Sequence, residues 1–105
     1  MRFKVDRLCV ILAEVDVEPG DLDLDPGYTR GFMNIVTWAG SELPVSEKIA
    51  AYLATFRWKL LSTQDLTSTV SEGVSPGSEL EKLIERARGN PNAIILGTFH
   101  SYSDR

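Results

Sequence analysis

The densest chemistry in this chain is a run of carboxylates. Asp21, Asp23 and Asp25 stand at alternate positions and continue a series begun by Glu14, Asp16 and Glu18, with no Lys or Arg between Arg7 and Arg30. The net charge of −4 becomes +2 without these six, so the acidity is local. Aspartates at positions 1, 3 and 5 are how an EF-hand calcium loop opens. The rest does not follow. Position 6, which needs glycine for a sharp turn, is Pro26, and position 12, which needs a bidentate glutamate, is Phe32. The alternation itself reads differently. Val15 and Val17 alternate with Glu14, Asp16 and Glu18, and Leu22 and Leu24 with the aspartates, the pattern of strands with one wet face. Asp21, Asp23 and Asp25 are thus a candidate protein-interaction edge. Such an edge either repels other strands or receives a basic protein partner; it is not read as a metal site.

His100 is the only histidine and Cys9 the only cysteine. A lone histidine acts as a general base when a carboxylate orients it, and the sequence does not say which acid that would be. His100 lies in an apolar segment, residues 93–102, where strict alternation puts it on one face with Ile94, Leu96, Thr98 and Tyr102. Trp38 and Trp58 bracket the first helical segment. As a set, His100, Tyr102, Trp38 and Trp58 are the candidate ligand-binding residues, on the condition that they line one cleft; otherwise the tryptophans are core. Cys9 sits in the apolar run 8–13 and reads as a small buried hydrophobe. A single cysteine cannot form an internal disulfide. No phosphate-binding glycine loop, nucleophile elbow or paired-histidine zinc motif occurs, and no cofactor is expected.

These residues must be positioned by one domain, since 105 residues is the size of one. An apolar content of 43% and a charged content of 25% are globular values. A sequence pI near 4.9 weighs against nucleic acid and against an anionic membrane surface. The run 8–13 is too short to span a bilayer or to form a signal-peptide core, so the expected location is cytoplasmic.

Three Pro-Gly pairs punctuate the chain, at 19–20, 26–27 and 76–77, each fitting a type II turn. Residues 3–17 read as a strand, apolar in both directions at 8–12 and therefore covered on both faces there. Residues 31–39 read as a second strand. Pro44 opens a helix to about residue 56 on the stripe Val45, Ile49, Tyr52, Leu53 and Phe56. Its C-terminus lacks a glycine, which leaves the boundary open. Residues 58–70 form either one long strand or a hairpin turning at Gln64-Asp65. Ser78 and Glu81 form a capping box ahead of a helix with Leu80, Leu83, Ile84 and Ala87 on one face. Residues 93–102 then form a strand, in which Gly97 marks a bulge or a close backbone approach.

The expected fold class is α+β, with two helices on one face of a four- to five-stranded mixed or antiparallel sheet. If 58–70 is a hairpin, the core is ferredoxin-like with an extra N-terminal strand. The expected function is a small non-catalytic interaction or ligand-binding module that self-associates as a dimer to cover its second sheet face. The rivals are a small enzyme using His100 with a nearby carboxylate, and an acidic docking protein presenting residues 14–25.

Overall fold

In the computed structural model, which describes residues 7–18, 29–39, 44–90 and 93–101, the two longest strands pair at the centre of the sheet. β1 (Arg7–Asp16) and β2 (Arg30–Ala39) run antiparallel from Arg7 opposite Ala39 to Asp16 opposite Arg30. Val17 N–H still donates to Thr29 O beyond the last pair. The chain continues through α1 (Val45–Ala54), β3 (Lys59–Asp65), α2 (Thr67–Ser71) and α3 (Glu79–Arg88). It finishes in β4 (Ile94–Leu96) and β5 (His100–Ser101). The sheet has five strands, in the order β3-β1-β2-β4, with β5 also on β2, and every pair is antiparallel. The α+β class and the five-stranded sheet agree with the sequence.

The helices do not share a face. Odd-numbered residues of β1, including Cys9, Ile11, Ala13 and Val15, pack with Ile49 and Leu53 of α1. Val10 of β1 and Val36 of β2 pack instead with Leu83, Ile84 and Ala87 of α3. Adjacent strand residues point to opposite faces, so α1 covers one face and α2 with α3 the other. The reason is the two-sided apolar stretch of β1: a single helical layer would leave Val10, only 2% exposed, in water.

Three local details explain the element boundaries. α1 ends without glycine because Arg57 takes the left-handed conformation, at φ 64°. Trp58 N–H then reaches Leu53 O and Arg57 N–H reaches Ala54 O, both bonds of a Schellman closure. Residues 58–70 are neither one strand nor a hairpin. Asp65 Oδ1 accepts Thr67 N–H at 2.8 Å, an Asx turn that ends β3 and starts α2. Without that hairpin the ferredoxin-like order is not confirmed. Before α3, Ser78 N–H bonds Ser75 O across Pro76 and Gly77, whose φ of 78° fits the type II turn. Ser78 Oγ caps Glu81 N–H at 3.3 Å, while Glu81 Oε1 reaches one residue past the cap to Gly77 N–H at 2.8 Å.

The C-terminal segment is broken. Ile94, Ile95 and Leu96 pair with Thr37, Val36 and Ile35, and Gly97 N–H still bonds Asn34 O at 2.8 Å. His100 and Ser101 then pair with Phe32 and Gly31, a register displaced by one residue. An extra residue therefore sits between Gly97 and His100, a β-bulge where the glycine suggested one.

Candidate interaction surface

The bulge decides where His100 points. Strict alternation would set it beside Ile94 and Leu96, which pack against the α1 side. The extra residue reverses the alternation. His100 comes opposite Phe32, on the side that carries α3, while Phe99 packs on the α1-side core. The expected face of His100 is thus corrected.

The bulge is held by α3. Glu79 Oε1 accepts Thr98 N–H at 3.2 Å, and the second carboxylate oxygen accepts the Thr98 hydroxyl. These bonds, chiefly the one from the hydroxyl, hold the Glu79 carboxyl below its ordinary range, with a smaller contribution from the charge of His100. Gly97 makes the room: a Cβ there would lie 2.6 Å from Glu79 Oε1 and 3.0 Å from Asn34 O. At the other end, a Cβ on Gly31 would lie 2.4 Å from His100 O. Two glycines and one carboxylate thus set the path of β5.

α3 covers only part of its face. Its buried residues meet Val10 and Val36, toward the Arg7–Ala39 end. Toward the other end the same face carries Leu12, Glu14 and Asp16 from β1, and Arg30, Phe32 and Asn34 from β2. The register brings Ser62, Glu14, Phe32 and His100 into one row across β3, β1, β2 and β5. Ser62 Oγ donates to Glu14 Oε1 at 2.9 Å. Phe32 is 39% exposed, in the middle of this row. Two residues further along β1, Asp16 lies opposite Lys59 and 3.9 Å from Arg30 Nε. Among the described residues, this half-face is an aromatic centre with a polar rim of both signs.

Within this row no carboxylate stands next to His100, and the Glu79 carboxylate, which feels its charge, is bonded to Thr98. Phe32 stands between Glu14 and His100, whose strands are two spacings apart, about 10 Å. His100 is exposed. Three clefts of about 250 to 290 Å³ lie elsewhere among the described residues, and His100 lines none of these three.

The tryptophans are not brought together. Trp38 lies on the α3 side, where its Nε1–H donates to Ala87 O at 2.8 Å. Trp58 packs on the α1-side core, its ring 5.1 Å from that of Phe56, which in turn meets Tyr52 edge-on. The sheet separates them, so they form no common wall. Tyr102 and the aspartates Asp21, Asp23 and Asp25 lie outside the described residues. Of the acidic run, Val15 and Val17 are buried while Glu14, Asp16 and Glu18 are not, as the alternation indicates. Cys9 is buried at 1% exposure, its thiol against Arg7 O. No helix among the described residues is long and apolar enough to cross a membrane.

No family model, curated protein or solved structure matches the chain.

The weight of the site therefore rests on the residues themselves. Phe32, Ser62 and Glu79 were absent from the sequence-derived candidates. The usable signal for Phe32 was that Asn34 shares its face, and that Glu14 and Asp16 lie on the wet side of the neighbouring strand.

Proposed function

We propose that the protein is a small non-catalytic binding module that associates with a second copy of itself through the open half of the α3 side of its sheet. The observation that carries the reading is the exposure of Phe32 at the centre of a four-strand-wide polar surface. An apolar anchor within a polar rim is the anatomy of a binding patch. The rim suits a symmetric partner. Glu14 and Asp16 lie on the same face as Arg30 and Lys59, so the rim carries both signs, as a self-complementary surface requires.

The test is the concentration dependence of backbone amide shifts. In this reading the amides of Phe32, Glu14, Ser62 and His100 move on dilution from millimolar to low micromolar protein, and those of α1 stay in place. Shifts confined to α1 and its aromatic cluster, or no shifts, overturn it.

A further inference from the structure

We infer that the crevices on either side of α2 form a binding site for a small amphipathic carboxylate, an aliphatic chain with an anionic head. The inference is independent of the self-association reading, because it uses the opposite end of the α3 side.

Two crevices flank α2. One, of about 280 Å³, runs along Leu66, Val70, Val74 and Leu80. The other, of about 250 Å³, runs along Leu8, Val10, Val70, Val74 and Ile84. They share Val70 and Val74, so the two adjoin along the α2 segment. The packing explains the space. Among the described residues, the α1-side core has nine buried residues and the α3-side core six, with Leu8, Leu66, Val70, Val74 and Leu80 only partly buried around it. α2 has only five residues, and the bond from Thr67 N–H to the Asp65 side chain starts it. The chain after it passes through Gly73 and Gly77, at φ 141° and 78°. A short helix on glycine-rich connections does not fill the layer.

The lining selects the ligand. Its one charged residue, across both crevices, is Arg88 at the end of the second. A guanidinium in a lining of aliphatic side chains and neutral hydroxyls (Thr67, Thr69, Ser75 and Ser78) favours a carboxylate head with an apolar tail. The nearby end of α3 opposes this little, since Ala87 O already accepts from Trp38 Nε1–H and Asn90 N–H. Thr67 offers the head no donor, because its hydroxyl accepts Val10 N–H at 3.0 Å and donates to the Asp65 carboxylate. Size sets the class. Each crevice is smaller than the roughly 300–1,000 Å³ of a drug-sized pocket, which suits a medium-chain carboxylate better than a long fatty acid or a nucleotide.

The experiment is a methyl-resolved NMR titration of the full chain with sodium octanoate, with octyltrimethylammonium as the charge control. Saturable shifts of the Val70, Val74 and Ile84 methyls with octanoate are expected, with none from the cation. Arg88→Gln, at an exposed position, should weaken octanoate by about tenfold, the effect of losing one charge-assisted bond. Arg86→Gln, on the same helix but away from these crevices, should leave it unchanged. Equal shifts from both amphiphiles, no saturation at millimolar octanoate, or an Arg88→Gln chain that binds as well as the parent would each overturn the assignment.

Discussion

His100 stands directly opposite Phe32 across β5 and β2, on the side of the sheet that carries α3. That pairing depends on one extra residue after Gly97. It also depends on the carboxylate of Glu79, which grips Thr98 from the neighbouring helix. His100 is thereby part of an open surface, and not of the α1-side core margin to which alternation would send it.

Gly97→Ala tests this arrangement. The added Cβ must displace Glu79 Oε1 or Asn34 O, and overpacking of this kind costs about 1–3 kcal/mol. Denaturant melts should show that loss. Amide exchange should show faster opening at Ser101 than at Ile95.

Acid should loosen the same clamp. The Glu79 carboxyl lies below its ordinary 4.5, mainly through the Thr98 hydroxyl, and that of Asp65 below its ordinary 3.8, mainly through the Thr67 side chain. A depressed folded-state value gives stability that is present above the ordinary value and lost as pH falls through the folded one. Both groups are largely open to solvent, so each contribution is small. The melting temperature of the parent should exceed that of Glu79→Gln at pH 7, and the gap should narrow as pH falls below 4.5.

Arg57→Gly should stabilise the fold. A non-glycine residue in the left-handed region costs on the order of 1 kcal/mol, and Arg57 closes α1 there. The gain is reduced by the extra freedom of glycine in the unfolded chain, so an increase of a few tenths to about 1 kcal/mol in chemical denaturation is expected. A loss would mean that the Arg57 side chain contributes more than its backbone costs.

Trp38→Phe removes the Nε1–H bond to Ala87 O. One such bond is worth about 1 kcal/mol net, and the smaller ring adds a packing loss. The expected result is reduced stability with unchanged behaviour of the Phe32 surface, because Trp38 serves the α3 contact and no ligand wall.

Much of the fold was legible where the pattern was local. The capping box at Ser78 and the turn at Pro76-Gly77 follow from side chains a few residues apart. So does the alternation at Val15 and Val17. The two-sided cover of the sheet is also visible in the apolar residues 8–12, which cannot all be buried by helices lying on one face. The rest depended on contacts distant in sequence. Nothing near His100 signals that Glu79, on another element, holds a bulge that turns the strand over. The Asx turn at Asp65 rests on one side-chain bond to Thr67, in a stretch whose composition suits a strand. Trp38 and Trp58 flank the same helix, yet only the register shows the sheet between them.

In the proposed reading, the surface around Phe32 is where the protein binds a second copy of itself. Sedimentation equilibrium of the parent and of Phe32→Asp, from 5 to about 500 μM, tests it most directly; a carboxylate in a buried contact of this kind costs well over 1 kcal/mol. The account predicts a dimer for the parent at high concentration and a folded monomer for Phe32→Asp. A parent that stays monomeric throughout, or a variant that dimerises as well as the parent, would contradict it.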